Sequence, residues 1–184
     1  MSAKPSVAEK ICLTCGLCCN GVIFGDVQLQ RGDSATKFKS LGLSLARIRK
    51  QTEEGQPTRW EFPQPCAAFD GCHCRIYADR PEHCRAFDCA LLKNVKAGEV
   101  KVSAALRQIE KARSRAENVR QLLRKLGDKD EQVALSVRFR RTAKRVQDSE
   151  INRPTADLFS ELTLANHELN FLLSEVFYPG QSET

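Results

Sequence analysis

The sequence predicts a chain that is mainly α with little β: a small metal-stapled cysteine-rich module followed by an antiparallel helical hairpin or three-helix bundle. Three observations predict it. Eight of the nine cysteines fall in two tight groups between Cys12 and Cys89. Beyond Gly98 the apolar residues recur at intervals of three and four, the period of one helix face. Only Val22–Leu29 and Arg59–Phe62 carry strand-like patterns, and both are short. The division this implies is residues 1–98 as a cysteine-cluster metal-binding domain and residues 99–184 as an amphipathic helical region.

In chain order, residues 1–10 read as a loose tail and residues 11–20 as the first cysteine loop. Gly16, Asn20 and Gly21 allow its sharp turns. Val22–Leu29 is a short strand or hairpin. Asp33 or Ser34 caps a short helix through Leu41 that Gly42 stops. Ser44–Lys50 reads as another short helix and Glu53–Pro57 as a turn, and Arg59–Phe62 enters the second cysteine group as a strand. Asp79-Arg80-Pro81-Glu82 has the form of a helix start, with Asp79 as cap and Glu82 completing a capping box. Such a helix runs to about Lys93 and sets Cys84 and Cys89 about 140° apart around its axis. The two then serve different sites, or the helix breaks between them.

Past Gly98, Val102, Leu106, Ile109, Ala116, Leu123 and Leu126 mark a first long helix that Gly127 ends. A second, basic helix spans Lys129–Gln147 with Leu135, Phe139 and Val146 on one side. Pro154 separates it from a third, whose Leu158, Leu162, Ala165, Leu169, Leu172 and Val176 form one stripe that Tyr178-Pro179-Gly180 closes. A structural bundle packed on the metal module outweighs a coiled-coil partner site on these helices.

Composition excludes several classes. Hydrophobic content of 41% against 28% charged residues fits a folded chain rather than a disordered one. No apolar run approaches the roughly 18 residues of a membrane span, and MSAKPSVAEK lacks the apolar core of a signal peptide. The expected setting is therefore the reducing cytoplasm, which with an odd cysteine count argues against a disulfide scaffold. Net charge is +6 and uneven: +3 over residues 1–99, +7 over 100–150 and −4 over 151–184.

The chemistry lies in Cys12, Cys15, Cys18 and Cys19, in the string CLTCGLCC, and in Cys66, Cys74, Cys84 and Cys89. Thiolates are soft ligands, so hard cations are disfavoured. Three cysteines spaced by two residues plus a remote one resemble the ligand run of a [4Fe–4S] cluster more than the paired knuckles of zinc. Adjacent Cys18 and Cys19 tend to point different ways, so one can join Cys12 and Cys15 while the other is free to reach a second centre. Eight thiolates suffice for one [4Fe–4S] cluster with spare ligands, two zinc ions or two clusters. Cys72, beside His73, reads as a plain exposed cysteine rather than a ligand. Arg75, Arg80 and Arg85 crowd the second group, where guanidinium groups offset thiolate charge. Tyr77 reads as a packing residue, and His83 as a helix-surface histidine.

These strings resemble the YkgJ-type cysteine-cluster proteins, the CxxCxxCC putative zinc- or iron-chelating domain family. The matching segments are CLTCGLCC at Cys12–Cys19, the lone Cys66, and CRIYADRPEHCRAFDC at Cys74–Cys89, over roughly residues 11–93. The resemblance implies metal chelation by the eight cysteines. The family includes the flagellin lysine N-methylases, which implies that an enzyme is conceivable, but no further motif of theirs is present. There is no Gly-rich S-adenosylmethionine loop and no CxxxCxxC run of radical enzymes.

The leading expectation is thus a metal-binding protein that coordinates an iron–sulfur cluster or zinc, with a structural, electron-transfer or redox role. A cluster-dependent protein-modifying enzyme is the alternative. Nucleic-acid binding through Arg138, Arg140, Arg141, Lys144 and Arg145 is disfavoured, because Phe139 is the sole aromatic there and the acidic residues 151–184 offer a partner inside the bundle.

Overall fold

The computed structural model describes residues 6–48, 59–71, 73–150 and 152–178. The order of elements is α1 (Val7–Cys15), β1 (Asp26–Gln28), α2 (Ala35–Ser40), β2 (Ala46–Arg47), β3 (Trp60–Pro63), α3 (Glu82–Ala86), α4 (Ala90–Lys96), α5 (Val102–Lys125), α6 (Leu135–Gln147) and α7 (Arg153–Val176). The protein is mainly helical. Its one small sheet among the described residues has the order β1–β3–β2 and is antiparallel, with Val27 opposite Phe62 and Ala46 opposite Glu61.

The long helices α5 and α7 form the backbone of the molecule. Helix α5 buries Ala105, Ile109, Ala112, Ala116, Val119, Leu122 and Leu123, and α7 buries Leu162, Ala165, Leu169, Leu172 and Leu173. Three alanines in the α5 stripe let α7 approach closely. Asn152 and Thr155 at the start of α7 share a cleft with Leu126, just past the end of α5, while Phe177 meets the same cavity as Ile109. The pair therefore runs antiparallel. The expected α5 stripe shifts: Val102 and Leu106 are 40% and 39% exposed, and alanines take their place inside. The third-helix stripe holds, with Leu158 and Val176 half-buried at its ends.

Helix α6 starts at Leu135 rather than Lys129, because the residues before it are engaged in an ion cluster. Arg138, fully buried, donates through Nε to Asp128 at 3.0 Å and through Nη1 to Glu131 at 3.1 Å. Arg141 donates to Asp128 at 2.7 Å and to Asp130 at 3.2 Å. Burial alone would raise the Asp128 carboxyl, but hydrogen bonds from Arg141 and Arg138 hold it below the usual carboxylate range. Arg138, Arg141 and Arg145 thus find partners between Leu126 and Glu131, and among the described residues none of the three pairs with the expected acidic C-terminal stretch.

The N-terminal half departs from expectation in three places. Val7–Cys15 is one helix, so Val7–Lys10 is not a tail and Ile11–Cys15 is not part of the expected cysteine loop, because Ser6 and Glu9 form a reciprocal capping box that starts the helix. Ser34 caps α2 as expected and Gly42 follows it with φ 87°, but Ala46–Arg47 is a strand paired to β3 rather than part of a helix. The helix expected from Asp79 to Lys93 is broken in two. Asp79 lies in a short 3-10 turn, and the amide of Glu82 donates instead to Asp33, 49 residues earlier. The expected turn at Glu53–Pro57 and the close at Pro179-Gly180 lie outside the described residues.

Two apolar cores result. One joins Ile11, Leu17, Val22, Leu91 and Leu92 to α5 and α7. The other gathers Val27, Phe38, Leu43, Phe62, Ala68 and Ile76 around the sheet.

Candidate metal centre

Each cysteine is placed by an identifiable local device. Cys12 and Cys15 lie three apart on α1 and so share a face. Gly16 ends that helix with φ 66°, a conformation that favours glycine, and a Cβ there would sit 2.6 Å from the Phe69 ring. The turn that follows carries Cys18 and Cys19, whose shape is fixed by Cys19 and Asn20 amides donating to the Gly16 carbonyl at 3.0 and 2.9 Å. The Cys66 amide donates to the Cys19 carbonyl at 2.8 Å, which brings the second cysteine group onto the first. Cys74 pairs with Phe69 in an isolated antiparallel bridge.

Helix α3 carries Cys84. The chain then becomes extended at Phe87, with φ −77° and ψ 117°, and Cys89 takes the N-cap position of α4. Of the two outcomes open for the Cys84–Cys89 pair, the break is the one observed. The Ala90 amide donates to the Phe177 carbonyl at 3.0 Å, which ties this end of α4 to the end of α7.

All eight cysteines line one cavity of about 100 Å³. Its walls are otherwise apolar, including Phe24, Phe69, Phe87 and Phe177, with Gln64, Arg80 and His83 among the few polar groups. Cys12 is exposed and the other seven are half-buried. Among the described residues, no three Cys, His, Asp or Glu side chains converge tightly enough to grip one ion as they stand. Cys72 lies outside the described residues.

Burial pushes every one of these thiols above its ordinary value, Cys15 and Cys84 to about 12. Repulsion from neighbouring thiolates adds to burial at most of them. At neutral pH the set is therefore protonated when alone, and a cation must displace those protons to be held. The donor set fits zinc or iron–sulfur chemistry: eight soft ligands, one cavity, and a dry wall around them.

Of the three arginines, Arg80 stands apart. It is half-buried, lies 3.6 Å from the Tyr77 ring centre and donates to the Tyr77 carbonyl at 2.9 Å. Its charge opposes the effect of burial at Cys12, Cys74 and Cys84. Arg75 is exposed and acts on Cys66, while its guanidinium donates to the Ala67 carbonyl. Arg85 is exposed.

Sequence reasoning missed two lining residues. Gln64 is 2% exposed, and its Oε1 has no hydrogen-bond partner. Its setting between Pro63 and Pro65, two residues before Cys66, was the available signal. His83 is not a surface histidine. It packs edge-on to Phe24 at 5.4 Å and parallel to Phe87 at 6.3 Å, with Nε2 buried and unpartnered. The basic group on α6 is largely committed to the fold, with Arg138 and Arg141 in the ion cluster and Arg145 donating to the Leu126 carbonyl.

Among the described residues no helix is long and apolar enough to cross a membrane. No curated protein and no solved structure matches the chain. The family model described as CxxCxxCC: Putative zinc- or iron-chelating domain matches residues 11–118, which takes in both cysteine groups and reaches well into α5, beyond the cysteine-rich strings themselves. The chain belongs to this CxxCxxCC family.

Proposed function

We propose that Cys12, Cys15, Cys18, Cys19, Cys66, Cys74, Cys84 and Cys89 hold iron–sulfur or zinc, iron–sulfur being favoured, in a structural, electron-transfer or redox role. The observation that carries this reading is the convergence of all eight thiols on one cavity of about 100 Å³. That space and the Cys12/Cys15/Cys18 spacing suit a several-atom core, whereas four thiolates on one zinc ion stand only about 3.8 Å apart. When bound, such a centre supplies one-electron transfer if it is iron–sulfur, and folding energy in either case. The chain's own residues do the rest: phenylalanines exclude water, and Arg80 offsets thiolate charge. Residues 1–98 act as the metal module and residues 99–184 as its helical support, and free thiols suit a reducing cytoplasm. Exposed Leu164 and Phe171, seven apart on α7, support a protein partner there.

A protein-modifying enzyme is the second reading, favoured by one observation: the cavity meets solvent at exposed Cys12, beside Arg80. An iron site that takes up an added ligand would support it.

The test is an absorption spectrum with elemental analysis on protein purified without oxygen. A broad band near ~400 nm with iron and sulfide supports a cluster, and a colourless protein with zinc supports closed thiolate sites. Cys15→Ser and Cys84→Ser are expected to lower metal content and destabilise the N-terminal half. Unchanged metal and melting in both overturn the assignment.

A further inference from the structure

We propose that the cavity holds two separate four-thiol centres, with Cys12, Cys15, Cys18 and Cys89 forming one and Cys19, Cys66, Cys74 and Cys84 the other. This rests on the metal-binding reading above and assigns ligands within it.

The backbone divides the cysteines this way. Cys12 and Cys15 lie on α1, which packs against α4, and Cys89 is the first residue of the α4 cap. Cys15 and Cys89 both pack on the core that joins α1, α4, α5 and α7. On the other side, Cys66, Cys74 and Cys84 all pack on the core around the sheet. Cys18 and Cys19 are consecutive, and the chain uses them to serve opposite sides. The Cys19 carbonyl accepts from Cys66, which fixes Cys19 to the sheet side.

All eight line the same cavity, so the two sets adjoin within it, and Arg80 lines it too. Four thiolates are the full complement of a [4Fe–4S] cluster or of a closed zinc site, so no ligand is left over.

The experiment measures metal per full-length chain, after anaerobic loading with iron and sulfide and separately with zinc alone. It compares Cys15→Ser, Cys66→Ser, the within-set pair Cys15→Ser/Cys89→Ser and the cross-set pair Cys15→Ser/Cys66→Ser. Each single change is expected to halve the metal, the within-set pair to lose no more than a single change, and the cross-set pair to lose nearly all. Because serine variants can fail to fold, the unmutated chain is also stripped stepwise by chelator and alkylated, with the labelled cysteines mapped by mass. Release in two groups of four, as assigned, supports the proposal. A cross-set pair that keeps as much metal as a single variant, or labelling that mixes the sets from the first step, overturns the division while leaving metal binding intact. A wild-type chain that takes up neither metal overturns the metal reading itself.

Discussion

The Glu82 amide donates to the Asp33 carboxylate, 3.0 Å from one oxygen and 3.3 Å from the other. Asp33 thereby caps the helix that carries Cys84, from a loop before α2 that also uses the same carboxylate to accept from the Gln30 amide at 2.9 Å. Asp33→Ala is expected to cost about 1 kcal/mol of stability. It also lets Cys84 drift, so a chelator should strip metal faster than from wild type. Asp33→Asn, which keeps the acceptor, should restore most of both. Denaturant melts and chelation rates check this, and an Asp33→Ala protein that holds metal as wild type does refutes the coupling.

Asp128 and Arg138 are each 1% exposed in their side chains and pair at 3.0 Å. Arg138→Met removes one of the two guanidinium groups that hold the buried carboxylate, leaving Arg141, and should destabilise the fold by roughly 1–3 kcal/mol. The folded Asp128 carboxyl lies below its ordinary value, so the stability it brings is complete above the unfolded value of about 3.9 and is lost as pH falls through the lower folded value. Urea midpoints measured from pH 7 down to pH 2 should show that acid limb in wild type. Asp128→Asn should flatten it.

Arg80 faces thiols of both proposed sets. A positive charge favours the more negative, reduced form of a cluster. Arg80→Gln is therefore expected to lower the reduction potential by tens of millivolts, and Arg80→Lys by less. Potentiometric titration decides it. An unchanged potential would mean that solvent screens the guanidinium completely.

Gln64 keeps a buried acceptor without a partner on the cavity wall. Replacing such a group by an apolar one of similar shape is neutral to stabilising, so Gln64→Leu should raise metal-free stability by up to about 1 kcal/mol. If the amide serves the bound group, the same change lowers metal retention. Melting with and without metal separates these effects, and a parallel rise in both assigns Gln64 to the fold alone.

Much of this was legible in the chain. The eight thiols, the Ser34 cap, the α7 stripe and the alternative of a broken helix between Cys84 and Cys89 all follow from residue type and spacing. What was not legible depended on partners far away in sequence. Asp33 reaches Glu82 across 49 positions, so the local capping signal at Asp79 competed with one that no window reveals. In α5 the buried register runs through alanines, which a search for large apolar residues passes over in favour of Val102 and Leu106. Arg138 reads as surface charge until Asp128 and Glu131 are seen around it.

The meeting of Ala90 with Phe177 has a consequence for how the protein is made. Every proposed ligand has been synthesised once Cys89 is out, yet the wall beside Cys89 waits for Phe177, nearly ninety residues later. A nascent chain thus carries a full set of thiols on an unfinished vessel. Metal that arrives early meets exposed, exchangeable sulfur, and metal that arrives late meets sulfur set in an apolar wall. Secure loading is therefore timed by the completion of α7 rather than by the cysteines themselves.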